Sequence, residues 1–182
     1  MNEWIDELSD LTAAGEPVVV VTVVGIRGSA PREVGARMIV TASETFGTIG
    51  GGQLEYQCTR LACEMLGADA APVLRKFPLG SSMGQCCGGV VDVLFESMAN
   101  DRVGWLRDLR ALYGQREPAV ICTNLSMPQG KCVITAAGQF HVDDAGATTA
   151  VIAAARAGLA ARRSAEHVGD WFYELVVGSD FN

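Results

Sequence analysis

Residues 15–20 read Gly-Glu-Pro-Val-Val-Val, and a similar run, Arg-Glu-Pro-Ala-Val-Ile, occupies residues 116–121. In each run a proline leads into consecutive apolar residues, most of them β-branched. The first run continues to Val24, and such a continuous run is typical of a strand buried on both faces of a sheet. The two runs therefore predict two equivalent strands, one near the start of each half of the chain.

Two further pairs of segments repeat in the same order. Residues 35–41 resemble residues 130–135, with one residue fewer in the second copy, and residues 46–49 resemble residues 140–143. The agreement predicts a weak internal duplication. Coincidence among common strand sequences is the alternative explanation.

Hydrophobic spacing predicts the same order of elements in both halves, residues 1–98 and 99–182. Each half reads helix, three strands, helix and two strands, and the second half would complete the sheet of the first. The predicted fold class is α/β, a mixed sheet with helices and an αβββαββ duplication, in a single compact domain. Helices are expected at residues 4–14, 53–66, 101–113 and 148–163, and strands at residues 18–24, 38–41, 45–49, 73–77, 90–95, 119–124, 131–135, 139–142, near 168, and at 172–176.

Composition bounds the class of protein. Of the 182 residues, 49% are apolar and 19% are charged, which suits one domain or two small ones that share a core. The net charge of −7 argues against general binding to nucleic acid or to an anionic membrane, because both need a basic face. No apolar stretch reaches the roughly 18 residues of a membrane span. Residues 1–10 are too acidic for a secretory signal, and six cysteines without export predict reduced thiols in the cytoplasm.

The loop after the first strand carries three arginines, Arg27, Arg32 and Arg37, in an otherwise acidic protein. Loops at strand ends are common ligand sites, and the two-pronged donor set of arginine suits a phosphate. The alternative is that these side chains are solvated or paired with Glu33 and Glu55.

A glycine triplet, Gly50, Gly51 and Gly52, precedes the second predicted helix. Free backbone N–H groups and the helix dipole favour an anion at such a turn, and glycines let the anion approach the main chain. The triplet matches neither the dinucleotide nor the P-loop fingerprint, and a tight strand-to-helix turn is the alternative. Gln53 and Glu55 could orient a ligand or serve as N-terminal capping groups.

Residues 84–89 read Gly-Gln-Cys-Cys-Gly-Gly. Flanking glycines remove side-chain cover, so Cys86 and Cys87 are expected on an open loop. A thiolate is a nucleophile and a soft metal ligand. Three interpretations stay open here, namely core packing, a redox pair, or a ligand site for a soft metal or a sulfur-bearing cofactor. The other cysteines are expected to be packing residues: Cys58, Cys63, Cys122 and Cys132.

No other catalytic pattern is legible in the sequence. There is no Cys-x-x-Cys pair, no Ser-His-Asp arrangement and no carboxylate pair suited to acid–base catalysis. The second half has Asp-Ala-Gly at residues 144–146 in place of the triplet, so function is expected in the first half. The residues alone therefore predict an anion-binding, thiol-bearing pocket.

Three segments, taken together and in order, resemble the N-terminal domain of the xanthine dehydrogenase accessory proteins, the XdhC/CoxI family. They are residues 28–32 (Gly-Ser-Ala-Pro-Arg) with Gly35 and Met38, residues 47–55 (Gly-Thr-Ile-Gly-Gly-Gly-Gln-Leu-Glu), and residues 84–89. The motifs span residues 25 to 95, and weaker similarity around residues 171–174 extends toward the end. Long family members continue into a Rossmann-like C-terminal domain, which this chain is expected to lack.

The resemblance implies a chaperone for the molybdenum cofactor (molybdopterin), without turnover of its own. Such proteins hold the cofactor while a cysteine desulfurase replaces an oxo ligand with sulfur. They then deliver it to a molybdenum hydroxylase such as xanthine dehydrogenase. The pterin phosphate would suit the glycine turn and an arginine, and the molybdenum would suit a cysteine thiolate, with Cys87 favoured over Cys86. The implied cofactor contacts are Cys87, Cys86, Gly50, Gly51, Gly52, Gln53, Glu55, Ser29, Arg32, Arg37, Gln85 and Gly88.

Two other functions stay open at this stage. One is a thiol-dependent oxidoreductase or a nucleotidyl transferase that acts on the cofactor. The other is an interaction module whose glycine loops are structural. A homodimer is compatible with all of these functions.

Overall fold

The computed structural model describes residues 3–68, 71–80, 88–98, 103–126, 131–142 and 148–177. The α/β class predicted from the sequence is confirmed. None of the helices in these ranges is long and apolar enough to cross a membrane. The elements are α1 (Trp4–Ala13), β1 (Val19–Arg27), β2 (Arg37–Val40), β3 (Thr45–Gly47), α2 (Gly52–Met65), β4 (Val73–Pro78), β5 (Val90–Ser97), α3 (Gly104–Gly114), β6 (Ala119–Asn124), β7 (Lys131–Thr135), β8 (Gln139–Val142), α4 (Thr149–Ala161), β9 (Ala165–Val168) and β10 (Trp171–Val176).

The strands form two five-stranded sheets with the same internal order, β3-β2-β1-β5-β4 and β8-β7-β6-β10-β9. All the paired strands in them are antiparallel. The expectation of one mixed sheet, completed by the second half, is therefore wrong. A continuous apolar run indicates a strand buried on both faces, but it does not report the direction of the neighbouring strand or the sheet to which that strand belongs.

The predicted αβββαββ duplication is confirmed by strand register as well as by element order. Thr22 of β1 lies opposite Arg37 of β2, and Thr123 of β6 lies opposite Lys131 of β7. The side chains repeat the pairing, because Nε of Arg37 donates to Oγ1 of Thr22 at 3.3 Å and Nζ of Lys131 donates to Oγ1 of Thr123 at 2.9 Å. Both copies thus keep one threonine-to-cation hydrogen bond at the same place in the sheet.

The turn after the second strand of each copy is also repeated. The N–H of Thr41 donates to the carbonyl of Glu44 at 3.0 Å, and that of Thr135 donates to the carbonyl of Gly138 at 2.8 Å. Both threonine side chains are buried. This agreement extends the duplication from element order to individual hydrogen bonds.

Residue contacts divide the chain into two compact units, and each has its own core. The first unit is Leu11–Ala99, and the second joins Met1–Asp10 to Asn100–Asn182. In the first unit the buried face of α2 packs on the sheet that contains β1, and in the second unit α4 packs on the sheet that contains β6. Residues 1–10 group with the second unit because Trp4 contacts Trp105, with ring centroids 6.5 Å apart, and Arg110 pairs with Asp6 and Asp10.

Candidate functional site

The loop that follows β1 in the first unit contacts the chain just before β5. Ser29 forms a parallel bridge with Gly88, and the N–H of Leu79 donates to the carbonyl of Gly89 at 2.7 Å. A Cβ on Gly89 would overlap the carbonyl oxygen of Ser29, and one on Gly28 would lie 3.2 Å from the Cα of Gly89. This close approach of two backbones requires glycine at position 89. The end of the cysteine segment is therefore held against the 28–32 loop.

The other end of the same loop contacts the glycine triplet. A Cβ on Gly50 would lie 2.5 Å from Cγ of Pro31 and 3.4 Å from Cγ of Arg32, so the proline ring packs directly on the Gly50 backbone. Gly50 also has a φ of 123°, which L side chains rarely adopt. The 28–32 loop thus brings the three motif segments together within the first unit.

The triplet turn is an unusual start for a helix. All three glycines have positive φ, 123° at Gly50, 73° at Gly51 and 62° at Gly52. Gly51 is the N-cap residue of α2, and no side chain caps the helix from that position. The turn therefore depends on glycine at consecutive positions and on partners from elsewhere for its backbone N–H groups.

Glu55, one turn into α2, supplies these partners. Its Oε2 accepts hydrogen bonds from Oγ1 of Thr48 at 2.5 Å, from the N–H of Ile49 at 3.1 Å and from the N–H of Gly51 at 3.0 Å. Oγ1 of Thr48 in turn accepts from the N–H of Gly50 at 3.1 Å. The capping interpretation of Glu55 is thus the one that the geometry favours. The expectation that the triplet N–H groups are free is wrong for Gly50 and Gly51, because the chain supplies its own carboxylate and hydroxyl there.

The hydrogen bonds also decide the charge of Glu55. Burial is the largest single influence and raises the pKa of the carboxyl, but the hydrogen bonds from Thr48, Gly51, Ile49 and Gly50 together outweigh it and the pKa is lowered. Glu55 is therefore a carboxylate at neutral pH. The N–H groups that open α2, at Gly52 and Gln53, are of the kind that a helix leaves without an internal partner.

The three arginines have different surroundings. Arg27 pairs with the carboxylate of Asp92 at 3.3 Å, and Arg32, which is half exposed, pairs with Glu33 at 3.2 Å. Arg37 points to Thr22, as described above. The pairing with Glu33 that was one alternative for these residues is present for Arg32. Exposed ion pairs of this kind contribute little, about 0–1 kcal/mol, so that pairing leaves Arg32 able to exchange partners.

Two of the glycines face open space. A Cβ added at Gly51 or at Gly88 would meet no atom of the described chain within 4 Å, although Gly50 and Gly89 beside them are tightly packed. Both open glycines have positive φ, 73° and 62°. With respect to the described residues, a ligand could therefore approach the main chain at either position without a side chain in its way.

The cysteines fall into three groups. Cys86 and Cys87, with Gln85, lie outside the described residues, so their predicted roles stay predictions. Cys58, Cys122 and Cys132 are buried, which agrees with the packing role, and burial with the nearby charge of Glu55 raises the pKa of Cys58 to about 12. The thiol of Cys122 has a raised pKa because it is hydrogen-bonded to Cys132 and buried. Cys63 is exposed, and the packing role expected for it is wrong because it lies on the solvent side of α2.

Metal ligation has no support in the described ranges. Across the part of the chain that the structure describes, no three His, Cys, Asp or Glu side chains are grouped to hold a metal ion. The predicted metal ligands, Cys86 and Cys87, are not in that part. Sequence reasoning gave no role to Thr48 or Pro31, whose contacts organise the site. The only signal for them was their place inside the two quoted motifs.

Comparison with known proteins gives a family match for part of the chain and a similar fold for nearly all of it. Residues 11–77 match the model of the XdhC and CoxI family, a span that holds the first two motifs and ends before the cysteine segment. No curated protein matches the chain.

The crystal structure of a xanthine dehydrogenase from Bacillus halodurans is similar over 96% of this chain and 52% of its own, with a TM-score of 0.72 and 20% sequence identity. The chain thus spans about half the length of that protein, and at this identity the likeness shows the fold alone. Two of the three motifs and their mutual contacts lie within the matched span, so the resemblance of residues 11–77 to the XdhC and CoxI family that those motifs predicted is confirmed by the family model.

Proposed function

We propose that this chain binds the molybdenum cofactor and serves as an accessory protein to a molybdenum hydroxylase of the xanthine dehydrogenase kind. The observation that carries the proposal is that the other two motif segments both contact the 28–32 loop. Ser29 bridges to Gly88 at one end of the loop, and Pro31 packs on Gly50 at the other. The family match of residues 11–77 and the similarity to the structure of a xanthine dehydrogenase support this class of function.

The residues present fit such a ligand. The open faces of Gly51 and Gly88 leave room for a flat group beside the main chain. The N–H groups at the start of α2 and the exposed guanidinium of Arg32 suit a phosphate, and the positive end of the helix dipole adds to this preference. Glu33 is the present partner of Arg32, and a phosphate would compete with it. When bound, the cofactor supplies a molybdenum centre, for which a cysteine thiolate is a suitable soft ligand.

Cys87 is the proposed thiolate, because it directly precedes Gly88 in the sequence, and Gly88 is held beside Ser29. The described side chains of the site include an ionised carboxylate that is engaged by backbone donors. This set of groups is suited to binding and orienting a ligand, and a carrier role needs no more. Sulfuration by a cysteine desulfurase and delivery to the hydroxylase would then be carried out with partner proteins.

Direct binding of anaerobically prepared molybdopterin tests the proposal. We expect the purified chain to bind molybdopterin and Cys87→Ala to weaken the binding at least about tenfold, as expected for the loss of a ligand bond worth more than one hydrogen bond. Cys63→Ala is the matched control, since Cys63 is exposed on α2, and it should bind like the wild type. Unchanged affinity in Cys86→Ala and Cys87→Ala would remove the thiols from the mechanism. Absence of binding by the wild type would refute the proposed function.

A further inference from the structure

We infer that Glu55 is a positioning residue that holds the glycine turn in its open form through its charge, and is not itself a contact of the ligand. The inference deepens the proposed function and rests on it for the identity of the ligand. It also contrasts with the role of direct cofactor contact that the sequence suggested for this residue.

The geometry places the carboxylate on the inner side of the turn. One oxygen of Glu55, Oε2, takes hydrogen bonds from the Thr48 hydroxyl and from the N–H groups of Ile49 and Gly51. A Cβ added at Gly51 would meet no described atom within 4 Å, so the carboxylate does not occupy the space in that direction. The carboxylate therefore fixes the direction of the Gly51 N–H, and the ligand has access at the open Cβ position.

The second unit shows that the fold does not require this arrangement. There α4 begins with an ordinary cap, because Oγ1 of Thr148 accepts from the N–H of Val151 at 3.4 Å and Thr148 has extended backbone dihedrals. The residue after Val151 is Ile152, where α2 has Glu55 after Leu54. Three glycines lose more conformational freedom on folding than other residues would, so a turn built from them is expected only where its shape is used.

The groups that face Glu55 are donors and not cations within the described ranges. They are Thr48 and the backbone N–H groups of Ile49, Gly50 and Gly51. The thiol of Cys58 on the same helix is near enough for the charge of Glu55 to raise its pKa. Each donor favours the ionised form of the carboxyl. Protonation of Glu55 would thus weaken all of these hydrogen bonds at once and release the turn.

The first part of the test uses the full chain without ligand. Amide hydrogen exchange at Ile49 and Gly51 is followed by NMR in the wild type, in Glu55→Gln and in Glu64→Gln, a control on the exposed face of the same helix. We expect exchange at both amides to quicken about tenfold or more in Glu55→Gln, the range for loss of a hydrogen bond to a charged group, and to stay unchanged in Glu64→Gln. The carboxyl of Glu55 should titrate below 4.5, and Thr48→Val should move its midpoint upward. Unchanged exchange in Glu55→Gln would overturn the inference.

The second part measures molybdopterin affinity in the same variants. A positioning role predicts that Glu55→Gln and Thr48→Val each weaken binding about tenfold, and that the double variant is no weaker than the poorer single variant, because both act through one turn. Loss of affinity in Glu55→Gln with normal affinity in Thr48→Val would mean direct ligand contact and would overturn the inference. Faster exchange with unchanged affinity would show a purely structural role and would also overturn it. If the wild type binds no molybdopterin, the proposed function fails, and the exchange and titration results alone decide whether Glu55 holds the turn.

Discussion

The two halves of the chain, residues 1–98 and 99–182, contain the same seven elements in the same order, yet the units differ at two places. In the second unit, β9 and β10 are joined by Gly169 and Asp170, and α4 starts from a threonine cap. In the first unit, residues 79–89 join β4 to β5, and α2 starts from three glycines with positive φ. Because the second unit makes the same sheet with short, ordinary connections, the additional features of the first unit are not needed for folding.

The features that the units share have the opposite meaning. The threonine-to-cation hydrogen bond, the turn after the second strand and a buried glutamate in the last strand occur in both, the last at Glu96 and Glu174. Both glutamates lie opposite the central strand of their sheet, across from Val20 and Ile121. Shared features of this kind belong to the fold. The places where the copies diverge are the places to look for function.

The largest expected effect is on folding stability, when a packed glycine of the first unit is replaced and compared with an open glycine of the second. Gly89→Ala puts a Cβ onto the Ser29 carbonyl and should cost roughly 3 kcal/mol, the upper part of the usual range for overpacking. Gly169→Ala meets no described atom within 4 Å and carries only the cost of a φ of 60°, about 1 kcal/mol. Urea unfolding of both variants measures the difference. Gly80→Ala, at a position without positive φ where a Cβ meets no described atom within 4 Å, is the control. Equal losses at positions 89 and 169 would contradict the comparison.

Sequence reasoning recovered the element order because each element has a local signal. β-Branched runs mark β1 and β6, and glycine and proline mark their ends, so the αβββαββ order and the duplication could be read directly. The number of sheets could not be predicted, because a run of apolar residues does not report the direction or identity of the neighbouring strands. The two units became visible only from contacts between residues far apart in the chain.

The meeting of the motif segments could be predicted from the sequence more readily than the contacts that hold them together. The quoted motifs include Gly50 and Gly88, and both residues contact the 28–32 loop in the structure. The role of Glu55 was not legible, because its return to the N–H groups of Ile49 and Gly51 depends on dihedral angles that only the folded turn reveals. Spacing alone left it equally suited to ligand contact and to capping.

The second prediction concerns a buried helix position at which the two units carry different residues. Cys58 in α2 and Ala155 in α4 are both buried, each one helical turn after the first buried residue of its helix. Cys58→Ala therefore installs the residue of the second unit. Burial, with the charge of Glu55, raises the pKa of the Cys58 thiol from 9.0 to about 12, so the folded state keeps a proton that the unfolded state loses between those values.

This difference in pKa between the folded and unfolded states makes the free energy of unfolding depend on pH. The stability that the buried Cys58 thiol contributes is fully present below pH 9. Above pH 9 the free energy of unfolding falls with rising pH, by at most about 1.4 kcal/mol per pH unit, until pH reaches about 12. Denaturant unfolding at several alkaline pH values should show the stability difference between wild type and Cys58→Ala shifting against the wild type as pH rises. Cys63→Ala, which alters an exposed thiol, should follow the wild type. A pH-independent difference between wild type and Cys58→Ala would contradict the assigned burial.

The smallest expected effect concerns a feature that the copies share. Thr22→Val and Thr123→Val each remove the hydroxyl that accepts from Arg37 or from Lys131, and each should lower the free energy of unfolding by roughly 1.5 kcal/mol, as for a hydrogen bond with a charged donor. Serine at either position keeps the hydroxyl and is the control.

Ligand binding then separates the two copies. Arg37 is a proposed cofactor contact, whereas Lys131 also lies over the ring of Trp105, 5.0 Å from its centroid. Thr22→Val should therefore weaken molybdopterin binding, since it removes the hydrogen bond that orients Arg37, and Thr123→Val should leave binding unchanged. If both variants lose the same stability and the same affinity, both units contribute to ligand binding. That result would contradict the assignment of binding to the first unit and of a purely structural role to the second.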